Sequence, residues 1–238
     1  MLSTFKLSLK RYLHQRLGIP YSKHGEPVLL ARHLKEGKPI TLIDVGACNG
    51  DFTEAIEKYC GIKMAVLIEP LPGKAHELRR RFHFPKYHVF ECVLSSHEGI
   101  VSFEINDFRP TSSILKIRRG IPELAEVNLG SGQTIEREAC TLDGILSDIG
   151  MAEIDLLKLD VQGAEHLVLR GGSESLQSTS MIWIEVSYKS LYKGSCTFFE
   201  VYSFLQEHGF GLYEMEDAFR GPAGELLQSD ALFIRKNS

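Results

Sequence analysis

The chain lacks several marks that would place it in a class at once. No apolar run approaches the roughly 18 residues that span a bilayer, so no membrane-spanning helix is expected. The five cysteines, at positions 48, 60, 92, 140 and 196, share no CxxC spacing and are odd in number. Neither a zinc cluster nor a disulfide framework fits that pattern, and reduced thiols in a cytoplasmic compartment are expected. No Asn-x-Ser/Thr acceptor site occurs. Near the N-terminus Lys6, Lys10, Arg11 and Arg16 interrupt the apolar residues, so there is no continuous signal-peptide core. A basic excess is also missing. With 27 Lys+Arg against 31 Asp+Glu the net charge is −4, which argues against a strong nonspecific grip on nucleic acid. There is no GxSxG elbow and no HExxH pair, and the nine histidines are scattered. An α/β-hydrolase and a metal site are therefore not expected. Neither Asp-Pro-Pro-Tyr nor Asn-Pro-Pro-Tyr occurs, so the usual signature for amino-methylation of bases or glutamine is absent.

What is present is an ordinary globular composition, 43% apolar and 24% charged over 238 residues. That suits one domain with a sizeable core. Residues 3–17 read as an amphipathic helix stopped by Gly18 and Pro20. It either packs on the domain or makes a weak membrane-surface or partner contact through its basic face. Short apolar runs then alternate with helical patterns. Strands are expected at Ile40–Val45, Met64–Glu69, Tyr87–Leu94, Ile100–Ile105, Ile154–Asp160, Met181–Val186, Phe210–Met215 and Ala231–Ile234. Helices are expected near Asp51–Tyr59, Lys74–Arg81, Ala164–Leu169 and Thr197–His208. This alternation predicts an α/β fold, a mostly parallel sheet with helices on both faces. The last two strands, joined by a Gly/Pro loop, read as an antiparallel edge pair. The stretch 106–140 breaks the rhythm and reads as an insertion, with a basic patch at Lys116–Arg119. The expected division is 1–37 as lead-in and 38–238 as the domain.

Two strand ends carry candidate chemistry. The first strand ends in Asp44-Val45-Gly46-Ala47-Cys48-Asn49-Gly50. Glycines in such a turn let a ligand approach the backbone, at the strand ends where ligands bind in open α/β sheets. The bland alternative is a tight strand–helix turn. The second strand ends in Glu69-Pro70, where an acid can accept both hydroxyls of a ribose. A dinucleotide would ask for GxGxxG in the first turn, and a pyrophosphate would be repelled by Asp44. An amino-acid-bearing nucleoside would be attracted by it.

The order DVGAxxG, strand-Glu-Pro, Thr-Ser-Ser, Leu-Lys-x-Asp-Val-x-Gly-Ala-Glu and Ile-Glu-Val resembles the FkbM-type methyltransferases over residues 38–234. The resemblance implies a seven-stranded Rossmann-like fold and S-adenosylmethionine as cofactor. It implies that Asp44, Gly46, Ala47, Asn49 and Gly50 surround the methionine moiety. Glu69, with Pro70 behind it, would bind the ribose. Glu91 and Cys92 would lie near the adenine, and Ser113 near the methionine end or the substrate. Asp160 and Glu185 would be the catalytic candidates, either of them a base for a hydroxyl. The bland alternatives are a helix N-cap for Asp160 and a partner of Lys189 for Glu185. His166 reads as a helix-face histidine, and Lys158 as the structural support of an acid. The sequence departs from the family pattern twice: Cys48 stands where DVGANxG has Asn, and Gln162 where Glu is common. The expected function is O-methylation of a hydroxyl on a small acceptor, a sugar, glycan or secondary metabolite. The alternative is a methyltransferase-like cofactor-binding module without strong catalysis. The 106–140 insertion and the loop 187–196 are expected to shape the acceptor pocket.

Overall fold

A computed structural model describes residue 30 and residues 32–106, 112–124 and 132–236. The amphipathic segment 3–17 and Thr111 lie outside the described residues.

Seven strands make the central sheet. They are β1 (Ile40–Val45), β2 (Ile62–Ile68), β3 (Tyr87–Phe90), β7 (Ile154–Leu159), β8 (Thr179–Ser187), β9 (Phe210–Arg220) and β10 (Leu226–Arg235). Their order is β3-β2-β1-β7-β8-β10-β9. All neighbours through β8 are parallel, and β10 runs antiparallel between β8 and β9. The antiparallel element at one edge is therefore present, with the last strand tucked inside the pair. Strand order reverses between β1 and β7, and such a switch point opens a crevice at the carboxyl ends of both strands.

Side-chain alternation along each strand assigns the two faces. Ile40, Leu42, Leu67 and Leu156 pack with Ile56 of helix α1 (Asp51–Tyr59) and Leu78 of α2 (Lys74–Arg81). Ile43, Val45, Leu157 and Leu159 pack on the other side. They meet α3 (Leu142–Ile149), α4 (Glu165–Arg170) and α5 (Phe198–Glu207) through Ile145, Val168 and Leu205. Burying both faces of β1, β2 and β7 explains their near-continuous apolar sequences.

Three sequence expectations change. The run Tyr87–Leu94 is not one strand. β3 ends at Phe90, and Val93–Leu94 forms a separate β4. Beyond Phe90 the central sheet has no further partner for the chain, which turns and pairs with β6 (Gln133–Cys140). The 106–140 stretch is thus partly strand. β6 pairs along its length with β5 (Gly99–Ile105), giving a three-stranded sheet β4-β6-β5. Helix α3 was not expected, although Thr141 caps it by accepting a hydrogen bond from the Gly144 amide and Gly150 closes it in the left-handed region.

Candidate active site

The carboxyl ends of β1, β2, β7 and β8 bring most of the predicted residues to one edge of the sheet. The turn after β1 is held by its backbone. Gly46 and Ala47 donate to the Ile68 carbonyl, at 2.9 and 3.1 Å. Gly46 has φ +76°, and a Cβ there would lie 2.0 Å from the Asp160 carbonyl oxygen. Only glycine lets the turn close onto the end of β7 in this way. Gly50, also left-handed, precedes α1 and abuts the Phe82 ring.

Asp44 does not face the open side of this turn. It is fully buried, accepting from Thr53 Oγ1 at 2.7 Å and facing Lys158 Nζ at 3.2 Å from its Oδ1. The reason is local: Lys158 is its direct neighbour across the β1–β7 ladder. Lys158 also donates to the Gly46 carbonyl at 2.9 Å and stands 3.8 Å from Asp160. Burial alone would push the Lys158 pKa down, but Asp44 and Asp160 outweigh it and the pKa is raised. The lysine thus supports two acids, in keeping with the role its alternating position suggests.

Glu69 is buried with its carboxylate over the β1 turn. It accepts from the Cys48 amide at 2.7 Å and from the Leu71 amide at 2.8 Å. Burial pushes its pKa up, against the pull of these two amides. Cys48 has φ +51°, and its thiol pKa is raised by burial and by Glu69. Asn49 Oδ1 accepts from Lys74 Nζ at 2.9 Å, which ties it to α2. Ala47 is buried in the β1–α1 core.

Arg137 of β6, which sequence reasoning missed, ties the neighbouring strand ends together. It donates to the Pro70 carbonyl at 2.9 Å and stands 4.0 Å from Glu91. Glu91 lies at the surface, whereas Cys92 is buried beneath it. Burial and a hydrogen bond with Cys140 raise the Cys92 pKa. Ser113 is buried and donates to the Val161 carbonyl at 3.3 Å, pinning the insertion to the loop after β7.

The two catalytic candidates meet through Gln162. Its Nε2 donates to Asp160 Oδ1 at 2.7 Å and reaches Glu185 Oε2 at 3.3 Å. Tyr192 donates to Gln162 Oε1 at 3.2 Å, and Gln228 donates to Glu185 at 2.7 Å. Gln162 has φ +57°, so the cluster holds it in a backbone conformation that favours glycine. Asp160 is 44% exposed at the cluster's mouth. It is not the N-cap of α4, a position filled by Ala164. Below this loop Glu165 accepts from the Val161 and Gly163 amides, at 3.0 and 3.2 Å. Burial, with a contribution from Asp160, pushes its pKa up to about 7. His166 is half-buried, and its pKa is pushed down by burial and by Arg170. Tyr192, Gln228 and Arg137 carry no sequence motif and were legible only from their positions in space. Among the described residues no group of three or more His, Cys, Asp or Glu could hold a metal ion.

A family model described as Methyltransferase FkbM domain matches residues 44–212, more than half of the chain. The chain belongs to the FkbM methyltransferase family. The curated protein 2-O-methyltransferase NoeI from Sinorhizobium fredii (strain NBRC 101917 / NGR234) is 26% identical over 203 residues, covering 82% of this chain and 80% of NoeI. A crystal structure of methyltransferase FkbM from Methylobacillus flagellatus KT has a TM-score of 0.50 and 13% identity over 84% of this chain. The chain spans 44% of the length of that structure, which shares the fold. Residues 44–212 are thus a methyltransferase domain, and S-adenosylmethionine is its cofactor.

The strand ends fit that cofactor. Gly46 leaves no side chain at the switch point between β1 and β7. Glu69 uses two of the roughly four acceptor positions of a carboxylate on backbone amides, so its acceptor capacity is not exhausted.

Proposed function

We propose that this protein transfers a methyl group to a hydroxyl of a small acceptor such as a sugar, glycan or secondary metabolite. The observation that carries the reading is the Asp160–Gln162–Glu185 cluster at the carboxyl ends of β7 and β8. Glu69 would hold the ribose, with the Gly46–Gly50 turn and Asn49 beside the methionine moiety and Glu91 at the adenine edge. Ser113 would steady the loop at the methyl end. Asp44 serves this site indirectly, by fixing Lys158 under the turn.

When bound, S-adenosylmethionine supplies an electrophilic methyl on a sulfonium, whose departure as a thioether needs no acid. The residues of the chain then have two tasks, orientation and proton removal. The exposed Asp160 carboxylate is the candidate to accept the proton of the acceptor hydroxyl. Glu185, held by Gln162 and Gln228, would accept a hydrogen bond from the same acceptor or a neighbouring hydroxyl. Gln162 cannot take a proton at neutral pH, so its amide orients the two acids. The O-methyl chemistry named for NoeI supports this reading.

Incubation with methyl-labelled S-adenosylmethionine and a panel of monosaccharides tests it. The expected product is an O-methyl sugar, lost at least a hundredfold in Asp160→Asn. Tight cofactor binding with no transfer to any hydroxyl acceptor would instead favour a cofactor-binding module.

A further inference from the structure

The insertion and the loop after β8 build a small cationic cavity. Arg118, Ile121 and Pro122 of the insertion, with Lys189 and Ser190 of the loop, line a space of about 350 Å³. The two segments are joined by backbone. Arg118 donates to the Leu191 carbonyl and Lys193 to the Lys116 carbonyl, both at 2.8 Å, around an Ile117–Tyr192 bridge. Ile117, Leu124, Leu191 and Tyr192 form a buried core beneath them. The cavity wall is therefore a packed unit.

Its charge is segregated. Residues 112–122 and 187–197 contain Lys116, Arg118, Arg119, Lys189 and Lys193 and no Asp or Glu, in a chain of net charge −4. All five cations are exposed. The Arg118 guanidinium donates to the Ser190 carbonyl at 3.1 Å, which lays it along the cavity. That bond uses one of its five N–H donors. Ser190 Oγ donates to the Tyr192 carbonyl at 2.7 Å, and the Tyr192 hydroxyl reaches Gln162. The cavity is thus linked to the Asp160–Glu185 pair by hydrogen bonds through Tyr192 and Gln162.

We propose that this cavity binds an anionic group, a phosphate or carboxylate, carried by the hydroxylated acceptor. The inference rests on the methyl-transfer reading above and names the acceptor class. An acceptor with one anionic end is repelled by Asp160 and Glu185 and attracted by Arg118 and Lys189. The two effects turn its anion into the cavity and leave a hydroxyl toward the acids. The volume lies at the small end of ligand pockets, which favours one sugar-sized unit over a polymer. A polyanion would call for a longer basic stripe.

Calorimetry on the protein saturated with S-adenosylhomocysteine tests this, using glucose, glucose 6-phosphate and glucuronate. At least one anionic sugar should bind about tenfold tighter than glucose, a preference that narrows as salt is added. Comparing the phosphate and carboxylate arms identifies the anion. Arg118→Glu combined with Lys189→Glu should erase the preference while S-adenosylhomocysteine affinity stays within twofold. Equal binding of neutral and anionic sugars, or a preference that survives in the double variant, overturns the inference. So does an absence of sugar binding, or capture only of an oligonucleotide or of anionic vesicles. In those cases cofactor binding and the methyltransferase reading still stand. No binding of S-adenosylhomocysteine to the wild-type protein removes both.

Discussion

Lys158 and Asp44 face each other across the β1–β7 ladder with Nζ 3.2 Å from Oδ1, both buried beneath the turn that follows β1. Removing one partner of such a pair strands the other charge, at a cost of about 3–5 kcal/mol. Lys158→Met should lower the unfolding free energy by that order in urea titrations. The double variant Asp44→Asn/Lys158→Met should cost clearly less than the sum of the two single changes. Additive losses would show that the two side chains are not coupled.

Glu165 gives a pH signature. Its folded pKa, about 7, lies above the unfolded value of 4.5. The folded state therefore binds the proton more tightly, and stability from this group is present below pH 4.5 and lost as pH rises through 7. A shift of this size corresponds to roughly 3 kcal/mol. Glu165→Gln keeps an acceptor for the Val161 and Gly163 amides and removes the buried charge. It should melt close to wild type near pH 4.5 and become more stable by up to that amount above pH 7.5. A pH-independent difference between the two proteins would contradict the assignment.

Cys48 occupies a left-handed backbone position, φ +51°. Asn adopts that region several-fold more readily than most residues. The left-handed cost for other residues is about 1–2 kcal/mol. Cys48→Asn should therefore raise the unfolding free energy by about 0.5–1 kcal/mol without disturbing the amide that Glu69 accepts. A lower melting temperature in this variant would show that the thiol contributes packing that Asn cannot replace.

Gln162 separates two acids. Gln162→Glu would bring a third carboxylate to the positions now 2.7 Å from Asp160 and 3.3 Å from Glu185. Like charges at that range hold one carboxyl protonated. The variant should lose stability relative to wild type as pH rises from 5 to 8, and the acid limb of its turnover profile should move to higher pH. Parallel stability curves would exclude a crowded cluster.

Much of the scaffold was legible from apolar runs, because β1, β2, β7 and β8 are buried on both faces and need continuous aliphatic sequence. β6 was not, since Glu136, Arg137 and Glu138 give it little apolar signal and its stability comes from pairing with β5. The break between Phe90 and Val93 was hidden by the same apolar continuity that made the run look like one strand. Helix α3 was legible in principle, with Leu142, Ile145, Leu146 and Ile149 at helical spacing after Thr141. At the site, the strand-end acids were readable from position alone. Their orientation was not. That Asp44 turns inward depends on Lys158, 114 positions away in sequence. That Glu69 receives the Cys48 amide depends on the loop geometry between two strands.

Glu69 is the residue proposed to hold the ribose of the cofactor. The most direct measurement is isothermal titration of the wild-type protein and of Glu69→Ala with S-adenosylmethionine and S-adenosylhomocysteine. Saturable one-to-one binding is expected for the wild type. Affinity should fall roughly ten- to a hundredfold in the variant, as the loss of charge-assisted bonds to two hydroxyls requires. Absence of binding at millimolar ligand, or an unchanged affinity in Glu69→Ala, would contradict the account.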